Sequence, residues 1–238
     1  PVHDLGQDEK GQWFLAMKEV HGRTLREIIA QLHAGRRGGT FGPTPDGWTF
    51  KRLIDAFRTV CEAVAFAHSR GVVHRDLKPD NVMVGDFGEV YVLDWGLARL
   101  VDDPEEDETV EAPDPWSLQA VEAPESQRST QTRHGVVVGT PAYMPPEQAR
   151  GDRDAIGPHS DVWALGAVLY AALYGRPPYR GPADKVLKMV QKAPPEPPAD
   201  RPAPEPLVEV WKTCMTMDPR RRYPDARSVA ADVAAWLE

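Results

Sequence analysis

The sequence HRDLKPDN at residues 74–81, followed by DWG at residues 94–96, determines how the rest of the chain is interpreted. Two short runs of mainly β-branched residues, 82–84 and 90–93, lie between these motifs and flank the turn sequence GDFG. Short apolar runs on either side of a glycine-containing turn predict a β-hairpin. We therefore expect the two motifs to meet at the open end of this hairpin.

Three polar side chains are expected to converge at that end. Asn81 directly precedes the first predicted strand, Asp94 directly follows the second, and Asp76 lies in the same loop as Asn81. Carboxylate and amide oxygens are ligands for hard cations such as Mg²⁺. Phosphoryl transfer needs such a cation on the nucleotide phosphates, and a further group that accepts the proton of the attacking hydroxyl. The pattern therefore predicts a phosphoryl-transfer site.

These motifs resemble the catalytic core of bacterial, eukaryotic-like serine/threonine protein kinases, in which HRDLxxxN is followed by DFG. The resemblance implies ATP and Mg²⁺ or Mn²⁺ as cofactors, Asp76 as the catalytic base, and Asn81 and Asp94 as metal ligands. It places Lys78 near the transferred phosphate, and Lys78 within DLKPDN resembles serine/threonine rather than tyrosine kinases. The chain departs from the family pattern at Trp95, where the family usually has phenylalanine.

The same resemblance implies an α+β, protein-kinase-like fold. Residues 1–20 would be the last strands of a β-rich N-terminal lobe and the start of the hinge, and residues 21–238 a mainly helical C-terminal lobe. Within that lobe, residues 94–147 would be the activation segment. Its acidic insert, residues 101–128, contains few large apolar residues, and we expect it to be disordered.

Residues 15–18, LAMK, allow two alignments with the family. In one of them, Lys18 pairs with the ATP phosphates and Glu27 is its partner. However, no glycine-rich loop precedes this stretch, and the Gly- and Pro-rich residues 33–48 leave no room for the strands that should follow. The preferred alignment therefore makes residues 18–22 the hinge.

In the preferred alignment, Met17 lies at the back of the ATP pocket and the backbone of Val20 contacts adenine. The residues assigned to the adenine pocket are then Met17, Lys18, Val20 and Met83. The glycine-rich loop, the phosphate-pairing lysine and the helix with its glutamate are expected upstream of residue 1. We therefore expect the chain by itself to be inactive.

Residues 139–147, GTPAYMPPE, resemble the motif that ends the activation segment of these kinases. The resemblance implies that Thr140 contacts the catalytic aspartate and lysine, and that Glu147 forms a structural ion pair with Arg222. Asp161 is expected to open an apolar core helix over the following residues and to hold the backbone of the catalytic loop.

The resemblance also implies regulation by phosphorylation. His74 and Arg75 are structural residues of the catalytic loop, and Arg75 is the family's partner for a phosphate on the activation segment. A phosphate adds negative charge and acceptor oxygens that can order a loop against arginine. We expect such phosphates on Thr130 and Thr132, and we interpret Ser129 as a solvated loop residue.

Helical periodicity predicts further helices over residues 24–32, 49–70, 162–174, 184–192, 207–217 and 228–237. Thr24, with Glu27 three residues later, predicts a capping box, and Thr49 predicts an N-cap. We interpret His68, near the end of the second helix, as a partner of the helix dipole rather than as a ligand.

The composition is that of a globular protein, with 238 residues of which 41% are hydrophobic and 27% are charged. The longest apolar run, residues 162–173, is too short to cross a bilayer. The net charge of −8 arises from residues 100–127, which contain ten acidic residues and no Lys or Arg. We therefore expect neither a nucleic-acid partner nor a membrane segment. Cys61 and Cys214 lack metal-ligand spacing and indicate a reducing, cytoplasmic compartment.

Three functions are compatible with these observations. A serine/threonine kinase would transfer the γ-phosphate of ATP to protein substrates, and could dimerise for autophosphorylation. A pseudokinase would keep the fold as a binding module, but decayed sites usually lose a charged residue, and none is lost here. A small-molecule kinase of related fold is disfavoured by the motif at residues 139–147, which resembles a platform for peptides. The first function is therefore preferred.

Overall fold

A computed structural model describes residues 2–7, 12–17, 19–36, 40–100 and 141–238. Strands and helices both contribute, so the predicted α+β class is confirmed. The predicted insert at residues 101–128, together with Lys18, Thr130, Thr132 and Thr140, lies outside the described residues. The strands are β1 Val2–Gln7, β2 Trp13–Met17, β3 Arg23–Thr24, β4 Val72–Val73, β5 Val82–Val84, β6 Val90–Val92 and β7 Arg99–Leu100. The helices are α1 Leu25–Ala34, α2 Phe50–His68, α3 Pro146–Ala149, α4 Pro158–Tyr174, α5 Ala183–Lys192, α6 Glu205–Cys214 and α7 Ala226–Leu237.

The strands form three small antiparallel groups within the described part of the chain. Strands β1 and β2 form a hairpin, β3, β5 and β6 form a sheet with β5 in the centre, and β4 pairs with β7. The predicted hairpin between the two motifs is therefore confirmed as β5–β6. The backbone N–H of Leu93 donates to the carbonyl of Asn81 over 2.8 Å, which extends the ladder beyond the last strand residues.

Helices α1 and α2 begin where the sequence predicts. Thr24 and Glu27 form the capping box at the start of α1, and Thr49 accepts a hydrogen bond from the N–H of Arg52 at the start of α2. Helix α2 ends at His68, two residues before the predicted end. Gly71 follows with a φ of 73°, a left-handed conformation that glycine adopts without steric cost.

Helix α4 is the centre of the core, because every residue from Ser160 to Tyr174 is buried. The prediction that Asp161 opens this helix is wrong. The helix begins three residues earlier at Pro158, whose fixed φ suits a first turn, and Ser160 Oγ accepts a hydrogen bond from the N–H of Gly157. Asp161 therefore lies inside the first turn. Its side chain points to the catalytic loop instead of capping the helix.

Helices α6 and α7 also begin two residues before their predicted starts, and α6 ends before its predicted end. In α6, Pro206 lies in the first turn, where its missing N–H costs no helical hydrogen bond. In α7, Asp225 accepts a hydrogen bond from the N–H of Ser228 and so acts as the N-cap. No helix in the described ranges combines the length and apolar character that a bilayer crossing requires.

Candidate active site

The buried carboxylate of Asp161 fixes the loop that carries the HRD motif. It accepts hydrogen bonds from the backbone N–H groups of His74 at 2.8 Å and Arg75 at 2.9 Å. His68 Nε2 lies 2.8 Å from the same carboxylate. Arg75 has a φ of 72°, which is unfavourable for a non-glycine residue and needs support from its surroundings. The three hydrogen bonds provide this support directly before Asp76.

His74 connects this loop to the second motif. The ring is fully buried, its Nδ1 accepts from the N–H of Asp76 at 3.3 Å, and its Nε2 lies 2.9 Å from the carbonyl of Leu93. Because Nδ1 is an acceptor here, Nε2 carries the hydrogen and donates to Leu93. The imidazole therefore links Asp76 to Leu93, the residue directly before Asp94.

Two side chains, those of Lys78 and Asn81, donate hydrogen bonds to Asp76. The Lys78 ammonium donates to Asp76 Oδ2 over 2.5 Å. The Asn81 amide nitrogen donates to the Asp76 carbonyl over 2.8 Å and to Oδ2 over 3.2 Å. Hydrogen bonds of this kind limit the rotation of the carboxylate. The predicted convergence of Asp76 with Asn81 is therefore a feature of the fold.

Asp94 lies at the same end of the hairpin, one residue after the hydrogen bond between Leu93 and Asn81. It is exposed and has a left-handed backbone, with φ of 60° and ψ of 64°. The Trp95 indole N–H donates to the carbonyl of Val92 over 2.9 Å, and its ring lies 4.6 Å from that of His74. These contacts fix the direction in which the chain leaves β6, directly after Asp94.

The oxygen groups of Asn81 and Asp94 suit Mg²⁺. Because the amide nitrogen of Asn81 is used by Asp76, its amide oxygen is the end of the side chain that can bind a cation. Within the described residues, no group of three or more His, Cys, Asp or Glu side chains could hold a metal ion. Mg²⁺ usually takes one or two protein ligands together with substrate phosphates and water.

Glu147 and Arg222 form a bidentate ion pair in which both side chains are fully buried. The two N···O distances are 2.8 and 2.9 Å, and Ser160 Oγ donates to the same carboxylate over 2.9 Å. Arg222 also donates to the carbonyls of His159 and Thr216. Burial raises the pKa of Glu147, but the hydrogen bonds and charge of Arg222 outweigh it, so that the pKa lies below its usual value.

Two contacts of the catalytic loop are missed by the sequence reasoning. The Gln148 amide donates to the carbonyl of Arg75 over 3.0 Å, which ties α3 to the loop. The interpretation of His68 as a helix-dipole partner omits its bond to Asp161. The sequence did contain one indication of this contact, because His68 lies four residues after Val64 and hence on the apolar face of α2. A polar ring on that face requires a buried partner.

The residues assigned to the adenine pocket lie on separate elements. Met17 ends β2, opposite Val2 in the β1–β2 hairpin. Met83 is the central residue of β5, opposite Thr24. Val20 is half-buried in the connection between β2 and β3. Met17 and Met83 therefore lie on strands of two different sheets, and the assignment of these residues to the ATP pocket stays a prediction.

The sequence pattern of the protein kinase domain matches residues 7–232, which is nearly the whole chain. The chain therefore belongs to the protein kinase family, and its α+β architecture is a kinase fold.

Similar proteins place it among the bacterial-type, eukaryotic-like serine/threonine kinases. It is 35% identical to Serine/threonine-protein kinase PknD of Protochlamydia amoebophila, over 100% of this chain and 24% of that protein. It is 35% identical to Serine/threonine-protein kinase PknD of Chlamydia abortus, over 78% of this chain and 19% of that protein. It is 32% identical to Serine/threonine-protein kinase PknB of Mycobacterium tuberculosis, over 98% of this chain and 32% of that protein. The chain thus spans between about a fifth and a third of the length of these relatives.

Proposed function

We propose that this chain is the catalytic domain of an ATP-dependent kinase that phosphorylates serine and threonine side chains of proteins. The observation that carries the proposal is the arrangement around Asp76. Its carboxylate is bonded to Lys78 and Asn81, while Asp161 holds the preceding backbone. The candidate base Asp76 and the positively charged Lys78 are thereby held within one short loop. Phosphoryl transfer requires positioning of this kind.

In this proposal Asp76 accepts the proton of the substrate hydroxyl, and Lys78 acts on the transferred phosphate. The Lys78 ammonium lies 2.5 Å from the Asp76 carboxylate, so that a hydroxyl at Asp76 would also be near a positive charge. That charge offsets the negative charge that develops on the phosphoryl oxygens as the bond forms. Asn81 holds the Asp76 carboxylate in place through its amide nitrogen.

Asn81 and Asp94 would hold Mg²⁺ or Mn²⁺, because the hairpin brings these two residues to one end. When bound, such an ion neutralises the nucleotide phosphates and orients them. The adenine would then bind in a pocket lined by Met17, Lys18, Val20 and Met83. The division into lobes at residue 20 belongs to the same proposal. Thr130, Thr132 and Thr140 keep their proposed roles in the activation segment.

The substrate class and the location of the protein follow from other observations. Lys78 within DLKPDN favours serine and threonine over tyrosine, and the printed names of the similar proteins are those of serine/threonine kinases. Cys61 and Cys214 are buried free thiols, which is compatible with the reducing, ATP-containing cytoplasm. Dimerisation for autophosphorylation, which the family resemblance suggested, is part of the proposal.

The test is phosphate transfer by the full-length natural protein. It is incubated with γ-labelled ATP, Mg²⁺ and a mixture of peptides that contain Ser, Thr or Tyr. We expect label on Ser and Thr peptides, its loss on chelation of the metal, and its recovery with added Mg²⁺ or Mn²⁺. Binding of ATP without transfer under all conditions would instead support a pseudokinase.

A further inference from the structure

A groove of about 440 Å³ lies between α2 and α7, and none of its lining residues belongs to the candidate active site. We call it the α2–α7 groove. Its lining consists of Glu62, Ala65, Phe66 and Ser69 from α2, and Arg227, Ala230, Ala231 and Ala234 from α7. Residues with this spacing share one face of a helix, so each helix contributes one continuous stripe to the groove.

Phe66 is the largest apolar side chain of the groove. It is 63% exposed, and the guanidinium of Arg70 lies 5.1 Å from the centre of its ring, a cation–π contact at the surface. The α7 side of the groove contains no apolar side chain larger than alanine. The surface therefore presents a protruding aromatic ring beside a hollow that is lined by small side chains.

The two charged residues of the lining have opposite signs and lie on different helices. Glu62, on α2, is 53% exposed and accepts a hydrogen bond from Arg58 along the same helix. An exposed pair of this kind contributes little stability, so that the Glu62 carboxylate is available to a second cation. Arg227, on α7, forms no salt bridge with any residue in the described part of the chain.

A surface with these properties is complementary to a second copy of itself. In an isologous dimer the same patch faces itself across a twofold axis, so that each contact occurs twice. An axis that lies in the contact plane, midway between Glu62 and Arg227 and perpendicular to the line that joins them, exchanges their positions. Glu62 of each copy then faces Arg227 of the other copy, and Phe66 of each copy lies over the groove of the other.

We propose that two copies of this protein associate through the α2–α7 groove, with Phe66 buried in the groove of the other copy and Glu62 paired with Arg227 in both directions. This inference rests on the dimerisation that is part of the proposed function, and it names the surface. Removal of the aromatic ring from water supplies the attraction. The two charge pairs determine the orientation of the copies. Because a single groove buries little surface, the association is reversible.

The first test is sedimentation velocity of the full-length natural protein over a range of concentrations, without nucleotide. We expect a reversible association that Phe66→Ser weakens by about tenfold or more, the usual effect of removing a central aromatic residue. Phe87→Ser is the matched control, because Phe87 is 94% exposed but does not line the groove. Its variant should associate like the natural protein. Urea denaturation verifies that both variants are folded.

Charge reversal tests the proposed pairing. Glu62→Arg and Arg227→Glu should each weaken the association about fivefold or more, because like charges then face each other at both contacts. An equimolar mixture of the two variants should recover the association, since opposite charges face each other again. A contact within one chain could not be restored by mixing. The difference between the variants and the natural protein should shrink at high salt.

Cross-linking covers the case in which other parts of the full-length protein also hold the copies together. A Glu62→Cys variant is mixed with an isotope-labelled Arg227→Cys variant and oxidised. We expect cross-linked peptides that join position 62 of an unlabelled copy to position 227 of a labelled copy. The natural cysteines, Cys61 and Cys214, are buried and should not compete.

The proposed surface is wrong if no cross-link forms between positions 62 and 227. It is also wrong if a reversible association responds equally to Phe66→Ser and Phe87→Ser, or if mixing the charge-reversed variants does not restore it. None of these measurements depends on phosphate transfer. The proposed kinase function is therefore tested separately, by the assay with γ-labelled ATP, and either proposal can fail while the other stands.

Discussion

Asp76 and Asp94 carry the same functional group in different surroundings. The Asp76 side chain is 9% exposed and is held by Lys78 and Asn81. Asp94 is exposed at the end of β6, where its backbone is left-handed. A carboxylate that is fixed beside a cation suits proton transfer at one atom. One that faces solvent suits a metal and its water ligands.

The first prediction concerns these two residues. Asp76→Asn should lower phosphate transfer by a factor of about 10²–10⁴, the usual contribution of a positioned base, and leave Mg²⁺-dependent nucleotide binding nearly unchanged. Asp94→Asn should weaken that binding as well, because a neutral amide is a poorer cation ligand. Transfer rates and nucleotide affinities, with and without Mg²⁺, are measured for both variants. Equal losses of affinity would show that the roles are assigned wrongly.

At the residue scale, sequence reasoning succeeds for neighbours along the chain. Asp76 and Asn81 lie in one loop, and the short hairpin returns the chain to Asn81, so their proximity follows from local structure. The pair of Glu147 and Arg222 is separated by 75 residues and was available only through the family resemblance. The bond between His68 and Asp161, 93 residues apart, was not found, because periodicity identifies a buried face without identifying its partner.

At the element scale, α4 and α6 cross at a glycine. A Cβ atom on Gly166 would lie 2.5 Å from Cys214 Cβ and 3.2 Å from the carbonyl oxygen of Trp211. These are main-chain or first side-chain atoms of α6, so neither can move without moving the helix. Alanine has the higher helix propensity, by about 1 kcal/mol, but overpacking a core costs about 1–3 kcal/mol.

The second prediction is therefore that Gly166→Ala lowers the free energy of unfolding, in spite of its better helix propensity. Urea denaturation measures the change. Cys214→Gly provides the control, since removing the clashing Cβ should make the added cost of Gly166→Ala smaller in that background than in the natural one. A stabilised Gly166→Ala protein, or a cost that is the same in both backgrounds, would contradict the close approach of these helices.

The third prediction concerns the link between α3 and the C-terminal elements. Glu147→Gln removes the charge that faces the fully buried Arg222 and should lower the free energy of unfolding by about 3–5 kcal/mol, the usual cost of leaving one buried partner unpaired. Glu209→Gln is the matched control, because Glu209 pairs with Lys212 at the surface. Its variant should unfold at nearly the natural denaturant concentration.

The Glu147 variant should also change the response to acid. Because the pKa of Glu147 is lowered in the folded protein, its contribution is present above its unfolded pKa and is lost as the pH falls through the folded pKa. The natural protein should therefore lose stability below about pH 4.5 more steeply than Glu147→Gln does. Parallel acid profiles of the two proteins would mean that this ion pair does not govern acid unfolding.

At the scale of the whole molecule, the sequence predicted the class of the fold and the six longer helices, but not the short elements β3, β4, β7 and α3, nor the contacts between distant elements. Helix starts at Thr24 and Thr49 follow from capping residues that act over one turn. The start of α4 was predicted wrongly by the same local reasoning. Asp161 resembles an N-cap residue, but the N-cap is Gly157 and the helix begins at Pro158. Contacts such as those of His33, which joins α1 to the end of α4, depend on the packed structure.

His33 lies where two distant parts of the core meet. Its Nε2 is 2.9 Å from the carbonyl of Ala172 in the last turn of α4, and its ring packs against Phe41 at 4.9 Å. Burial lowers the pKa of His33 and outweighs the opposing effect of the Ala172 carbonyl. The folded protein therefore favours the neutral ring, whereas the unfolded chain takes up a proton near pH 6.5.

The fourth prediction follows from the sign of this shift. The stabilising contribution of a neutral His33 is complete above pH 6.5 and is lost as the pH falls through the lower, folded pKa, with about 1.4 kcal/mol for each unit of difference. The free energy of unfolding should thus decrease from pH 7.5 to 5.5. His33→Gln keeps a donor for the Ala172 carbonyl but does not titrate, so it should flatten this slope. His21→Gln, at a side chain that is 77% exposed, should leave the slope unchanged. Denaturation curves are measured for all three proteins across this pH range. If the free energy of unfolding of His33→Gln still decreases as steeply with falling pH, the decrease comes from another group.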